Sequence, residues 1–245
     1  MLLLKIGGSV ITDKSKYGKI RRGNLQSLCS EVAGHGDIII VHGAGSFGHI
    51  LALKYGLDQP GPVQGKEKEI SRVIGDVSYL NNVFVRTLLK NGIHSVGIPP
   101  HSIYSGTEIN TEIVEEYFKS NILPVLYGDV VIWQNHFRII SGDEIMVHLA
   151  RKFRPDSAVF VTDVDGLYDH DPRVRKDAKL IREIRVKDIP EMGDGNDATG
   201  SMPGKVRRII EMAKYTHQIF IMNGNYPERL GSYLDGNGTT GTVIY

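Results

Sequence analysis

A single cysteine, Cys29, stands in a chain of 245 residues, which excludes an intrachain disulfide and any cysteine-based metal site. Leu25, Leu28 and Val32 share a helical face with it, so its thiol is expected in the core. The nine histidines include no H-E-x-x-H pair or other metal-ligand spacing, and no chain-borne metal is expected. There is no G-x-S-x-G elbow and no Cys/His arrangement for a nucleophile. Asp163, Asp165, Asp169 and Asp171 resemble a calcium loop in composition only, because the glycine and the closing glutamate are misplaced. They read as turn residues. Charge is nearly balanced, with 29 Lys plus Arg against 28 Asp plus Glu, so neither a nucleic-acid nor a polyanionic membrane partner is expected. No apolar run approaches a membrane span, and Met1–Lys5 lacks a signal-peptide layout. The expectation is a soluble cytoplasmic protein.

What the chain does have is a strand that ends in glycines. Ile38 to His49 reads I-I-I-V-H-G-A-G-S-F-G-H. The unbroken apolar run at 38–41 is the pattern of a strand buried on both faces of a parallel sheet. Gly43, Gly45 and Gly48 follow it. Glycine lets backbone amides approach a ligand, and a strand-to-helix turn of that kind makes an anion cradle. Gly43-x-Gly45-x-x-Gly48 also matches the dinucleotide fingerprint, but the nearest later acids, Glu67 and Glu69, begin a charged helix after Pro60-Gly61-Pro62. A dinucleotide site needs an acid at the end of a second strand instead.

Strands are expected at Leu2–Ile6, Ser95–Ile98, Leu123–Leu126, Ala158–Thr162, Ile219–Met222 and Thr242–Tyr245, and a hairpin at 130–140 around Gln134-Asn135-His136. Helices are expected from Asn24, as cap, to Ala33, at His49–Tyr55, Lys66–Lys90, Glu108–Phe118, Gly142–Phe153 and Gly204–His217. In the longest of these, Ile70, Val73, Ile74, Val77, Leu80, Phe84 and Leu88 recur at three- and four-residue steps. Strand-then-helix order predicts an α/β fold, a three-layer αβα sandwich with a mostly parallel central sheet. A lobe boundary is placed near Phe153-Arg154-Pro155.

Three lysines stand beside glycine turns. Lys5 precedes Gly7-Gly8-Ser9, Lys14 follows that turn, and Lys205 follows Gly200 and Gly204 at a helix start. The last is not a Walker motif, since three residues separate its glycines and Val206 replaces Ser or Thr. A lysine at a helix N-terminus opposes the dipole, so an anion is expected to compensate it. Asp143 begins a helix and is read either as a favourable first-turn acid or as a holder of lysines. Glycine turns on one sheet edge with positive charge point to phosphoryl transfer.

K-I-G-G-S at 5–9, H-G-A-G at 42–45, T-D-V-D-G-L-Y-D-H-D-P at 162–172 and T-G-S-M-P-G-K at 199–205 resemble the amino acid kinase superfamily, in its order and over nearly the whole chain. Within it, G-S-F-G-H at 45–49 and I-S-G-D at 140–143 resemble the isopentenyl phosphate kinases. Departures are Ala44 and Ser201, where glycine is common. The resemblance implies an acceptor-binding N-terminal lobe, 1–153, and a nucleotide-binding C-terminal lobe, 154–245. It implies ATP with nucleotide-borne Mg²⁺ as donor, isopentenyl phosphate as acceptor, and a homodimer. Lys5, Gly7, Gly8, Ser9, Gly204 and Lys205 would bind ATP phosphates, with Asp163, Gly166 and Tyr168 on the nucleoside side. Lys14 and Lys205 would stabilise the transferring group, and Asp143 would organise the lysines. Gly43, Gly48, His49 and Gly128 would hold the acceptor phosphate, with Ala44 between the two substrates. An acceptor phosphate needs no catalytic base, because its second pKa of about 6 leaves an oxyanion near neutrality, and the sequence offers no base. Another acceptor on this fold, or a non-catalytic anion binder, is the alternative. The Ile70, Val73, Ile74, Val77 face, with Val130 or Ile140, is either an apolar tail pocket or ordinary core.

Overall fold

A computed structural model describes residues 1–170, 174–189 and 202–245, the side chains of 202 and 203 excepted. Asp171 and Pro172, and Thr199, Gly200 and Ser201 of the third glycine turn, lie outside the described residues. In chain order the elements are β1 (Leu2–Ile6), α1 (Gly8–Ile11), α2 (Arg22–Val32), β2 (Ile38–His42), α3 (Gly45–Tyr55), β3 (Gly61–Pro62) and α4 (Glu67–Lys90). Then come β4 (Ser95–Gly97), α5 (Pro100–Ile103), α6 (Glu112–Lys119), β5 (Leu123–Tyr127), β6 (Asp129–Trp133), β7 (His136–Ile140) and α7 (Gly142–Phe153). The chain continues through β8 (Ser157–Thr162), β9 (Glu183–Ile184), α8 (Met202–Met212), β10 (Gln218–Asn223), α9 (Glu228–Leu234) and β11 (Thr242–Ile244).

Eight strands form one sheet in the order β4-β5-β2-β1-β8-β10-β11-β9. The first six are mutually parallel, and β11 runs antiparallel to β10. Both faces are covered, as the apolar strands require. Along β2, Ile38 and Ile40 join the core under α2, α3 and α4, while Ile39 and Val41 join the core under α7 and α8. Cys29 lies buried in the first of these cores. A small antiparallel sheet, β3-β7-β6, stands beside α4. Its hairpin turns at Gln134 and Asn135, both with positive φ, as a two-residue turn matched to strand twist demands. No helix among the described residues is long and apolar enough to cross a membrane.

Several boundaries differ from expectation for local reasons. Helix α3 starts at Gly45, four residues before His49, so the glycine turn is itself the first turn of a helix. Asn24 lies inside α2 rather than capping it. Its amide donates instead to the carbonyls of Val10 and Gly224, both at 2.9 Å, tying α2 to α1 and to the loop after β10. Helix α6 begins at Glu112, because Tyr104–Ile109 forms a bridged turn first.

Candidate active site

Parallel strands deliver the loops after β1, β2, β5 and β8 to one sheet edge. Strand order reverses at β1, with β2 and β5 on one side and β8 and β10 on the other. Open α/β sheets bind ligands at such a reversal. A cavity of about 340 Å³ sits there, and Lys5, Gly7, Gly8, Ser9, Lys14, Gly43, Ala44, Gly48, His49, Gly128, Asp143, Asp163 and Lys205 all line it. Gly204 is adjacent, in the first turn of α8. Gly166 and Tyr168 are not in the lining. Gly166 packs where a Cβ would strike the Thr242 hydroxyl. The Tyr168 hydroxyl donates to Asp165 at 3.3 Å, and Asp165 is also held by Arg229 at 2.5 Å and Asn223 at 3.1 Å.

The charged end of the cavity is a buried triad. The Lys5 ammonium donates to Asp143 Oδ1, and Lys205 Nζ lies 3.3 Å from the same oxygen. Lys5, Asp143 and Lys205 are 5%, 3% and 7% exposed. Both ammonium groups also sit over the Phe160 ring, 5.8 and 5.6 Å from its centroid. Burial works against the Asp143 carboxylate, but Lys205 and Lys5 outweigh it and hold the acid well below its usual range. Burial takes the Lys5 ammonium down to about 7, with Asp143 opposing that shift and Lys205 adding to it. Asp143 is the anion that the lysine on α8 required. One carboxylate against two lysines still leaves a place for negative charge.

Asp143 is aimed by its helix. The Ser141 hydroxyl caps α7 by accepting from the Glu144 amide at 3.1 Å, and an acid in the first turn suits the helix dipole. The Ser-x-x-Glu spacing at 141–144 is a readable capping signature. At the cavity mouth, Lys14 Nζ donates to Asp163 Oδ2 at 2.8 Å with two-thirds of its side chain exposed. Burial opposes ionisation of Asp163, yet the Lys14 hydrogen bond and charge keep its carboxyl below the ordinary value.

The glycines turn out to serve packing as well as access. A Cβ on Gly8 would collide with the Gly45 amide, and one on Gly43 would sit 2.5 Å from the Gly8 nitrogen. The turns after β1 and β2 therefore touch backbone to backbone. Thr12 locks them: its hydroxyl donates to the Gly8 carbonyl at 2.8 Å and accepts from the Ser46 amide at 2.9 Å. A Cβ on Gly48 would meet Ala44 Cβ at 2.5 Å and Val77 at 3.4 Å, so this glycine brings α3 onto α4. Gly128 differs, since a Cβ there would make only ordinary contacts at 3.4 Å and beyond. Nothing in the sequence signalled Thr12.

His42 and His49, which flank the glycines, part company. His42 is fully buried, stacked on Phe84 and Tyr127 and bonded to Asn81 at 3.1 Å. Burial lowers its pKa to about 4. It is a core residue. His49 is half-buried and lines the cavity.

Beyond His49 the cavity becomes apolar. Val73 and Val77 of α4, Val130 of β6, and Ile139 and Ile140 of β7 form its wall, with Ile50, Ala52 and Leu53 of α3 also in the lining. Ile70 is buried in the core and Ile74 packs against that core, so the expected face divides between wall and core. Asp129 is the one carboxylate at this end among the described residues, and it is committed. It accepts from the Val130 amide at 2.8 Å and pairs with His101 Nδ1 at 2.7 Å.

Residues 1–223 match the Amino acid kinase family. The chain is 38% identical to an isopentenyl phosphate kinase of Thermoplasma acidophilum, over all of both chains. It is 34% identical to that of Methanothermobacter thermautotrophicus, over all of this chain and 98% of the relative. It superposes on a crystal structure of an isopentenyl phosphate kinase substrate complex with a TM-score of 0.89, at 35% identity and covering 100% of this chain and 99% of that one. The lysine–aspartate triad, the paired glycine turns and the reversal of strand order at β1 thus sit in a known framework, and the chain belongs to the amino acid kinase family and, within it, to the isopentenyl phosphate kinases.

Proposed function

We propose that this chain transfers the γ-phosphoryl group of ATP to isopentenyl phosphate, giving isopentenyl diphosphate and ADP. One observation carries the reading: a single cavity joins a buried lysine end to a wall of valine and isoleucine, with glycine turns and His49 between them. An acceptor oxygen of isopentenyl phosphate attacks the γ-phosphorus, the bond from that phosphorus to the bridging oxygen breaks, and ADP leaves with the electron pair. The attacking oxygen is already ionised near neutrality, so the site needs charge and alignment rather than a base.

In this proposal the roles follow position. Lys5, Gly7, Gly8, Ser9 and Gly204 hold donor phosphates, and Lys205 and Lys14 offset the charge that grows on the moving group. Asp143 keeps Lys5 and Lys205 in register. Gly43, Gly48, Gly128 and His49 take the acceptor phosphate, and Ala44 separates the substrates. Asp163 serves the nucleotide side and restrains Lys14. Gly166 and Tyr168 stand outside the cavity lining, and their nucleoside role rests on the resemblance. The division at residue 153 is part of the same reading: the glycine turns of β1 and β2 and the apolar wall come before it, Asp163 and Lys205 after it.

In this proposal Mg²⁺ comes with the nucleotide, carried on its phosphates. Bound there, the ion would neutralise phosphate charge, while the chain contributes its lysines. The homodimer and cytoplasmic setting also belong to this proposal. Sedimentation velocity tests the dimer.

The apolar end favours a hydrocarbon tail over an amino acid. An amino acid acceptor needs free charged groups there, whereas Asp129 is satisfied by His101 and its neighbouring amide. The test is ³¹P NMR of the protein with MgATP and either isopentenyl phosphate or methyl phosphate. A diphosphate doublet and ADP are expected with the first, and kcat/KM is expected to favour it several-fold, since each buried CH₂ contributes about 0.8 kcal/mol. Equal use of both esters would remove the tail pocket.

A further inference from the structure

Lys14 is carried on a loop, residues 13–19, closed at its base by the Thr12–Ile20 bridge. The loop is well folded on itself. The Asp13 amide donates to the Lys19 carbonyl at 2.9 Å, Asp13 Oδ1 accepts from the Ser15 amide and hydroxyl at 3.0 and 2.7 Å, and Gly18 supplies the positive φ of its return. Its hold on the rest of the protein is much thinner. Among the described residues, two of its side chains hydrogen-bond outside the loop. One is Lys14 itself, on Asp163. The other is Tyr17, whose hydroxyl donates to Asp76 Oδ2 and accepts from Arg72 Nη2 at 2.9 Å. Arg72 Nε in turn bonds Asp76 at 3.1 Å, closing a three-membered network on α4. The Tyr17 ring also leans on Phe47, 6.5 Å between centroids.

We propose that Tyr17 is a positioning residue for Lys14, its hydroxyl latching the 13–19 loop to Arg72 and Asp76 so that the ammonium stays over the cavity when it leaves Asp163. To engage a phosphoryl group, Lys14 must loosen its bond to Asp163, and Tyr17 is then the tether that remains. The same turn of α4 presents Val73 and Val77 to the cavity, so the latch is fixed to the wall that the acceptor touches. Tyr17 does not line the cavity, and its effect passes through Lys14. The proposal rests on the reading that Lys14 offsets charge on the transferring group.

The test is Tyr17→Phe, which keeps the ring on Phe47 and removes the hydroxyl. With MgATP and isopentenyl phosphate, kcat is expected to fall about five-fold, the scale of one ordinary hydrogen bond. Both KM values are expected to stay within about two-fold, because charge offset in the transition state is what is lost. In a Lys14→Ala background the same substitution is expected to add almost nothing, whereas a general loss of structure would add its full effect there. Hydrogen exchange on the free protein should show the 13–19 amides opening faster in Tyr17→Phe, with the rest of the chain unmoved. An unchanged kcat, or an equal loss in both backgrounds, would overturn the latch. If the wild type turns over no isopentenyl phosphate, the functional reading fails on its own. Exchange then judges the latch: faster opening of 13–19 supports it, and unchanged exchange overturns it.

Discussion

At the charged end of the cavity, Lys5, Asp143 and Lys205 come from three elements, with 138 and 62 residues separating Asp143 from its two partners. At the apolar end, α3, α4 and one hairpin supply the lining. The charged end has one geometry, because a carboxylate oxygen shared by two buried ammonium groups leaves few other arrangements. The apolar end is a surface of methyl groups that excludes water without dictating an orientation. The first should therefore govern the rate of the chemical step, and the second the affinity for the acceptor. The comparison can be broken at either end.

The largest effect is expected from Asp143→Asn, which strands two buried lysines. Removing one partner of a buried ion pair costs about 3–5 kcal/mol, so a marked fall in Tm should accompany loss of turnover. The variant should recover stability as pH rises, because losing a proton relieves the buried charge. Calorimetry across pH checks this, and a Tm equal to wild type would show that the triad is not a unit. Next come Lys205→Ala and Lys14→Ala, each expected to lower kcat about a hundred-fold while leaving acceptor KM nearly unchanged. Wild-type kcat in both would remove their role in offsetting charge on the transferring group.

A smaller effect concerns protons. The Lys5 pKa is lowered to about 7 in the free protein, so above that pH the folded chain binds fewer protons than the unfolded one. Through this group, stability of the free protein rises with pH between about 7 and the unfolded lysine value near 10.4. Bound phosphate raises the Lys5 pKa again, so nucleotide binding takes up a proton and weakens as pH climbs above 7. Titration calorimetry in buffers of different ionisation enthalpy measures that uptake, and no uptake at pH 8 would contradict it. The smallest effect is expected from Val77→Ala at the apolar end. Acceptor KM should rise several-fold with kcat within about two-fold, as loss of uniform binding requires. A fall in kcat alone would erase the distinction between the two ends.

How much of this was legible in the sequence follows the same division. Apolar runs and glycine turns marked the central strands and the sheet edge where they end, because burial on both faces leaves an unbroken signal. Lys5, Lys14 and Lys205 were readable beside their turns. The Asp143 pairing was open, since a first-turn acid has a local explanation as well. Thr12, which ties the two glycine turns, and Tyr17, which tethers a loop to α4, carried no signal at all. Their partners lie 34 and 59 residues away, and a hydroxyl in a loop has no period to read. His42 shows a related limit: position beside the glycines says nothing about which face of β2 its ring takes.

The backbone contact between Gly8 and Gly43 has a kinetic meaning. These glycines follow neighbouring strands paired in parallel up to Ile6 and His42, and the two turns touch with no side chain between them. Any motion of β1 carries β2 with it, so, with donor and acceptor phosphates at these two turns as proposed, the gap a phosphoryl group crosses is a dimension of the sheet, insensitive to rotamer changes in its surroundings. A misplacement of about 1 Å can cost a hundred-fold in rate. A methyl group at either glycine would therefore lengthen the jump itself, and the added distance would appear in the rate of transfer even with both substrates bound at full strength.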